Sequence, residues 1–478
     1  MNLLTSLLSL FAPPPKRRPV RAYEAGGMGR RFGDFGSKAS SANTEIERSL
    51  PRMRNRHRQL VRDNAWAANA VRAIVTNTVG YGITGEVFAG TAKDQRLTDL
   101  WLSWAENITA DVSGVNNFYG QQSLALRSIA EAGEVLVRRR WRTDLKVPFQ
   151  IELIEPDFLD QGKSQNLPSG GRIVQGVEFN PAGRIVAYWL FEDHPGDSLA
   201  RSFQSKRVDA KDIAHIFRVD RPQQARGVPW GHAAILTLRD LDGFEDAFLF
   251  RQKLANCFMA TETDIDSLGQ VDGLAEDELG TELNSLEPGI IYRPKAGREL
   301  KFSDPPIAAE YNSYVDSVLH RVAAAYGISH QALTGNLAKV NFSSGRMGWM
   351  DFQRNIDVWR WNMLIPRMCD RVGGWFLEAA ELRQVPVPPD VRFEWTPPRR
   401  EMISPEREVP PLIAAIRAGI TSLPAVHREY GQHTARILAE IEQTNALLDE
   451  KELVLDSDPR RVTKVGGQQP VQPEEEET

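Results

Sequence analysis

The sequence has few cysteines and no long apolar run, and each shortage excludes a class of protein. Only two cysteines, Cys257 and Cys369, occur in 478 residues, which rules out a disulfide framework or a cysteine-based zinc site. Both fall inside predicted helices, where a buried apolar thiol is the usual state, and a reducing compartment is the simpler inference. No segment approaches the ~20 consecutive apolar residues that a membrane span needs, so we expect a soluble protein.

Charge of one sign is also not in large excess. The formal net charge is -5, with 25% charged and 41% hydrophobic residues, as in an ordinary globular protein. This balance argues against a protein whose whole surface grips nucleic acid. The length is sufficient for two or three domains.

Sequences that imitate cofactor motifs lack the surrounding structure that the chemistry requires. Gly80, Gly82 and Gly85 form a literal G-x-G-x-x-G, but a predicted helix precedes them and an extended segment follows, the reverse of a dinucleotide site. A possible phosphate loop at residues 162–164 has Asp157 where a glycine is required. Both interpretations therefore fail, and we expect no cofactor.

Catalytic and metal-binding patterns are not found either. His427 and His433 are six residues apart, so they do not form an i, i+4 metal pair. His215 lies in a predicted strand and is expected to be a satisfied core histidine. We therefore expect no catalytic residue and no metal site; a nuclease or hydrolase stays possible only by default.

Three long helices are predicted in the second half of the chain. The first, residues 233–259, has apolar residues at helical spacing and would be roughly 40 Å long. The second spans 306–326, and the third begins near Arg346. Between them lies a polar loop, 327–345, with Lys339 near its middle. Long helices around a polar loop indicate a scaffold that presents the loop rather than a catalytic pocket.

The rest of the chain mixes helices and short strands without βαβ alternation, which predicts an α+β fold and not a doubly wound enzyme fold. Asn64 is expected to cap a helix at 65–77, and residues 180–183 are expected to form a hairpin turn. Pro366 is expected to kink or end the third helix. The apolar residues 1–11 lack the features of a secretory signal and predict a short amphipathic arm.

Arginine is dense between Arg48 and Arg62. One interpretation is a nucleic-acid patch. The alternative is a solvated helix face or an ion-pair surface between subunits, and charge runs are more often of that kind.

Eight short phrases stand out along the chain: RDNAWA at 62–67, VGYGI at 79–83, IEPD at 154–157, GVEF at 176–179, HPGD at 194–197, RGVPW at 226–230, NFSSGR at 341–346 and LIP at 364–366. Taken together in this order, they resemble the lambda-like family of tailed-phage portal proteins over roughly residues 45–455. Each phrase alone is weak, whereas their order and spacing are specific; one departure is Phe342, where the family is expected to have tyrosine.

The resemblance implies a ring, typically dodecameric, at one capsid vertex, and an assignment of domains. These are a flexible arm (1–44), the N-terminal part of the wing (45–232), stem helices (233–261 and 303–327) with a small α/β clip between them (262–302), a tunnel loop (328–345), a wing spine helix with a closing strand (346–396), a helical crown (397–455) and a disordered acidic tail (456–478).

The resemblance also implies partners and a place in the cell. Double-stranded DNA would pass through the channel, and the ring would meet the terminase motor, the major capsid and scaffold proteins and the head-tail connector. No membrane is involved; the protein would belong to the virion and assemble in the bacterial host cytoplasm. The candidate DNA-facing residues are Asn336, Lys339, Asn341 and Arg346, although Lys339 could equally be a solvated loop residue. The alternatives are a DNA-processing phage enzyme or another structural head or connector protein.

Overall fold

The fold mixes helices and antiparallel sheets, which confirms the predicted α+β class. The structure is a computed structural model. The structure describes residues 39–90, 92–198, 204–256, 260–264, 298–302, 311–338, 340–399, 402, 404–430, 432, 434–455 and 460.

Twelve α-helices lie in the described part. The helix predicted after Asn64 is confirmed, because the Asn64 side chain accepts hydrogen bonds from the N–H groups of Trp66 and Ala67. The helices are α1 (Ala42–Asp63), α2 (Ala65–Thr78), α3 (Gln95–Ala105), α4 (Phe118–Ala132), α5 (Ile235–Asn256), α6 (Tyr311–Tyr326), α7 (His330–Thr334), α8 (Phe342–Trp359), α9 (Asp370–Leu382), α10 (Pro405–Arg417), α11 (Leu423–Glu429) and α12 (Thr434–Glu450).

The strands of the described part are β1 (Thr84–Ala89), β2 (Ala92–Lys93), β3 (Glu134–Trp141), β4 (Phe149–Ile154), β5 (Gln165–Asn166), β6 (Arg172–Val174), β7 (Val177–Phe179), β8 (Ile185–Leu190), β9 (Lys206–Asp209), β10 (Ile213–Phe217), β11 (Ala260–Asp264), β12 (Arg298–Phe302) and β13 (Val391–Thr396). They form four separate antiparallel sheets with the strand orders β13-β1-β2, β10-β3-β4, β5-β6-β7-β8-β9 and β11-β12. The predicted hairpin turn at 180–183 is confirmed between β7 and β8.

The main core joins distant parts of the chain around Trp101 in α3. This fully buried ring meets Phe118, Phe376, Phe393 and Trp395 edge-on, at centroid distances of 4.9 to 5.7 Å. Such edge-to-face contacts add to the free energy of burying aromatic area. Because β13 also pairs with β1, residues far apart in sequence share one core.

The first two long helices are confirmed as α5 and α6, and they run antiparallel. Phe244 lies against Tyr314, and Phe248, one turn later, lies against Tyr311, with ring centroids 4.6 and 4.4 Å apart. Strands β11 and β12 then pair just beyond the helix ends. The two helices therefore form a hairpin that leads to the paired strands.

Of the two outcomes expected at Pro366, a kink or an end of the third helix, the end does not occur. The chain stays helical from α8 into α9 through a π-helical stretch, Arg360–Cys369, and the N–H of Asp370 bonds to the carbonyl of Ile365. Proline lacks an N–H and its ring crowds the carbonyl four residues earlier. The wider i→i+5 winding relieves that crowding, which hydrophobic periodicity alone does not reveal.

Some expectations fall on residues that the structure does not describe. These are the N-terminal arm up to residue 38, Cys257, residues 265–297 of the segment predicted as the clip, and the tail apart from Arg460. Cys369 is described and buried, as expected. None of the helices searched combines the length and apolar character that crossing a bilayer demands.

Candidate functional site

The polar loop between α6 and α8 is shorter than predicted, because its first part is helical. Ser329 caps α7 by accepting a hydrogen bond from the N–H of Ala332, and Leu333 is fully buried. Asn69 of α2 donates to the carbonyl oxygens of Ala332 and Leu333, at 3.2 and 2.5 Å. Gly335 ends α7 with a positive φ of 69°. The exposed loop therefore begins at residue 335 from a fixed anchor.

Its far end is fixed by a capping box. The Asn341 side chain accepts a hydrogen bond from the N–H of Ser344, and the Ser344 hydroxyl accepts one from the N–H of Asn341. Helix α8 consequently starts at Phe342, four residues before the predicted start near Arg346. The loop was predicted to span 328–345. In the structure the loop between α7 and α8 has only seven residues, 335–341.

Three of the four candidate DNA-facing residues are described, and all three are exposed. The Asn336 side chain accepts a hydrogen bond from the N–H of Ala338, so Asn336 stabilises the loop itself. Asn341 and Arg346 line one groove beside α7, whereas Asn336 does not. Lys339 lies outside the described residues.

The sequence around the loop contains no acidic residue. Between Asp316 and Asp351 there is neither Asp nor Glu, while Arg321, Lys339 and Arg346 contribute three positive charges. The whole chain has 63 acidic residues. Because this segment has none, it adds no negative charge that would repel a polyanion.

The arginine run in α1 is divided between two roles. Arg48, Arg52, Arg56 and Arg62 are exposed, whereas Arg54 is buried and Arg58 is largely buried. Arg54 lies 2.8 Å from Glu134, and Arg58 lies 2.6 Å from Asp157. Two of the arginines therefore join α1 to the body of the same subunit, a role that neither interpretation of the charge run included.

Glu134 is the centre of this buried network. Its carboxylate accepts hydrogen bonds from Arg54, Arg226, His215 and the N–H of Gly227, at 2.7 to 2.9 Å for the shortest contact of each. Burial disfavours the charged form, but the cationic and hydrogen-bonding partners, Arg226 foremost, hold the pKa of Glu134 well below its usual range. His215 is a core histidine, as predicted, but it is only partly satisfied. Its Nε2 contacts Glu134, while Nδ1 has no hydrogen-bond partner in the described part.

The glycine-rich motif is a turn, as predicted. Gly80 and Gly82 have φ values of 52° and 126°, with α2 before them and β1 after. A Cβ on Gly82 would lie 2.5 Å from the Tyr119 ring, so the glycine serves a close approach of side chain to backbone.

Sequence analysis missed a cluster of one carboxylate and two imidazoles. Asp316 and His320 lie one turn apart on α6, and His330 begins α7; ligand atoms of all three lie within 4.8 Å of one another. The expectation that the histidines form no metal-type constellation did not foresee this cluster. The i, i+4 pair Asp316 and His320 is the signal that the sequence offers for it.

Comparison with known proteins gives one family. The profile described as "Phage portal protein, lambda family" matches residues 28–360. A "Probable portal protein" of Halomonas phage phiHAP-1 is 27% identical over 395 residues, covering 78% of this chain and 76% of that one. "Portal protein B" of Escherichia phage lambda is 22% identical over 478 residues, covering 85% and 86%.

Solved structures were compared as well. A chain of "Neck of native GTA particle computed with C12 symmetry" gives a TM-score of 0.48 at 14% identity, covering 81% of this chain and 93% of that one. An HK97-family phage portal protein from Corynebacterium diphtheriae gives 0.33 at 11% identity, covering 74% and 96%.

Proposed function

Because this chain belongs to the lambda family of phage portal proteins, we propose that its copies form a ring at one capsid vertex. Double-stranded DNA would be packaged and ejected through the central channel. The family match over residues 28–360 carries this proposal. The role is structural, and we propose no enzymatic activity.

Exposed apolar residues on α8 support ring formation. Phe352, Ile356 and Trp359 face the core of the subunit. On the opposite side an apolar stripe, defined here as the α8 stripe, stays exposed by 49% to 73%. It consists of Met347, Met350 and Val358 of α8 and of Trp361, which lies two residues past the end of α8. The exposed charges of Asp351 and Arg354 lie along this stripe. An exposed apolar surface with polar residues around it is a common form of interaction site, and a neighbouring subunit is the partner that a ring supplies.

Other features fit the proposed division into domains. The antiparallel pair α5 and α6 would be the stem, with β11 and β12 leading into the clip, and α10 to α12 would be the crown. We further propose that the clip and wing surfaces meet the terminase motor, the head-tail connector and the capsid and scaffold proteins. In the virion the protein would sit in the neck, after assembly in the host cytoplasm.

The loop 335–341 would face DNA. Its anchors at Leu333 and Asn341 hold it out from the subunit, and the segment 317–350 carries positive charge only. A conduit should hold DNA weakly and without sequence preference, because many phosphate contacts would retain the duplex. Few basic residues per subunit suit that requirement.

Native mass spectrometry with negative-stain imaging of the purified protein tests the ring. We expect closed rings of about a dozen copies with a central hole for the wild type, and far fewer rings for a Met350→Ser/Trp361→Ser variant. Val115→Ser, at another exposed apolar residue (70% exposed), is the matched control. A wild type that stays monomeric when scaffold protein is added would contradict the proposal; unaffected rings in the double variant would remove the α8 stripe from the interface.

A further inference from the structure

Two histidines and an aspartate meet where α6 leads into α7. Asp316 and His320 share one face of α6, and His330 follows after the turn that includes Gly327. We propose that these three side chains bind a divalent cation of the zinc type. The proposal concerns the single subunit and does not depend on the portal function.

The spacing of the ligand atoms suits a small cation. Nε2 of His330 lies 3.2 Å from Oδ1 of Asp316. Two ligands at about 2.0–2.1 Å from zinc in tetrahedral geometry lie ~3.3 Å apart. The three ligand atoms lie within 4.8 Å of one another, which is close enough for all three to contact one cation.

The two imidazoles are arranged as ligands usually are. Nδ1 of His320 lies 2.8 Å from the carbonyl oxygen of Asp316, and because a carbonyl oxygen only accepts, Nδ1 carries the proton. A neutral His320 ring then has its lone pair on Nε2, the nitrogen available for coordination. A metal-bound histidine is commonly oriented by such a bond from its other nitrogen. The rings of His320 and His330 stack with their centroids 3.8 Å apart and an angle of 14° between their planes. The two imidazoles therefore lie next to each other.

The donor set selects the kind of metal. Two imidazole nitrogens and one carboxylate oxygen suit Zn²⁺, Ni²⁺ or Cu²⁺, whereas Mg²⁺ and Ca²⁺ require mainly oxygen ligands. Asp316 and His330 are half-buried and His320 is exposed. Three protein ligands at a partly open position leave room for water or a further ligand.

A second carboxylate and imidazole cluster does not compete for this role. Glu155, Asp157 and His194 also lie together, but Arg58 already contacts both carboxylates, at 3.0 and 2.6 Å. A guanidinium there supplies the positive charge that a metal would bring.

An ion bound by residues of both α6 and α7 would hold α7 against α6, and the loop 335–341 begins at the end of α7. Binding to the folded state alone raises the melting temperature by mass action. The first experiment is calorimetric titration of tag-free, chelator-treated full-length protein with ZnCl₂. We expect saturable binding of about one ion per subunit and a higher melting temperature in its presence.

Variants locate the site. We expect His320→Ala and His330→Ala each to weaken zinc binding by at least about tenfold, and Asp316→Asn to weaken it while keeping the side-chain volume. His427→Ala, remote on α11, is the matched control and should bind as the wild type does.

Cobalt provides a readout that does not require any variant to fold. Co²⁺ added to the wild type should give the visible absorption of a low-coordinate nitrogen and oxygen site, and Zn²⁺ should displace it. Absence of saturable zinc binding below about 1 mM, a weak regime for a built site, would overturn the proposal. Unchanged binding in a folded His320→Ala/His330→Ala variant would overturn it equally.

Discussion

The Tyr326 hydroxyl lies 2.7 Å from Nε2 of His57, although the two residues are 269 positions apart in sequence. Nδ1 of His57 lies 2.7 Å from the carbonyl oxygen of Glu131. Because a carbonyl oxygen only accepts, Nδ1 donates that hydrogen bond, and Nε2 accepts a hydrogen bond from the Tyr326 hydroxyl. A Cβ on Gly231 would lie 2.3 Å from both side chains. One neutral histidine therefore joins α1, α4 and α6 at the base of the pair of long helices.

This contact predicts a pH dependence of stability. Burial foremost, with a smaller contribution from the nearby charge of His232, lowers the pKa of His57 from 6.5 to about 4, although the hydrogen bond to the Glu131 carbonyl acts in the opposite direction. Between these values the unfolded chain binds a proton that the folded chain does not. The contribution of His57 to the free energy of unfolding is therefore fully present above about pH 6.5. It is lost as the pH drops towards 4, by about 3 kcal/mol in total. Denaturant midpoints measured between pH 4 and pH 8 report the slope.

The matched variants are His57→Gln and His427→Gln. Glutamine at position 57 removes the titrating group, so this variant should lose less stability on acidification than the wild type. His427→Gln should keep the wild-type slope. Equal slopes for all three proteins would show that His57 does not cause the dependence.

Glu134→Gln should strongly destabilise the protein. It leaves the buried guanidinium groups of Arg54 and Arg226 without their carboxylate, and breaking a buried ion pair typically costs about 3–5 kcal/mol. Glu152→Gln is the same substitution on the adjacent strand, where the pair with Arg140 is partly exposed; it should cost at most about 1 kcal/mol. Chemical unfolding compares the two, and similar small losses would contradict the central role of Glu134.

Adjacent glycines of α9 provide a test of packing. A Cβ on Gly373 would lie 2.8 Å from the Phe393 ring, which is held by stacking on Trp395 at 5.0 Å. Gly373→Ala should therefore destabilise by about 1–3 kcal/mol. A Cβ on Gly374 would meet no atom within 4 Å. Gly374→Ala should therefore stabilise the protein by up to about 1 kcal/mol through helix propensity. The same sign for both in urea denaturation would be inconsistent with this packing.

The long helices could be predicted from sequence, because an apolar face repeats every three or four residues in α5, α6 and α8. The short helix α7 could not, since its five residues are held by Asn69 of α2 and by the buried Leu333. Periodicity contains no information about such a partner.

The pattern of charges in the sequence also does not show which charged residues are buried. Arg54 and Arg56 are indistinguishable in sequence, yet only Arg54 meets Glu134, 80 residues away. The cluster of Asp316, His320 and His330 likewise requires the turn that places α7 against α6. The loop itself was correctly located by composition, but its true ends depend on Gly335 and the Asn341 cap.

The positive charge of the loop region predicts its effect on DNA. If Lys339 and Arg346 face the duplex, Lys339→Ala and Arg346→Gln should each reduce the nuclease-protected DNA per head, and the double variant should reduce it more. Each lost phosphate contact should also lower the salt dependence of retention by about one unit of slope. Assembled heads are treated with nuclease and the remaining DNA is quantified at two salt concentrations.

Two controls separate charge from loop structure. Arg392→Gln removes an exposed charge of β13 that lies beside Glu394, and it should leave packaging unchanged. Asn341→Ala removes the helix cap, at a cost of about 1 kcal/mol, whereas Asn341→Ser keeps a capping oxygen. If Asn341→Ser packages normally and Asn341→Ala does not, Asn341 acts by holding the loop and not by binding DNA. Normal DNA content in the Lys339→Ala/Arg346→Gln double variant would instead mean that another part of the ring lines the channel.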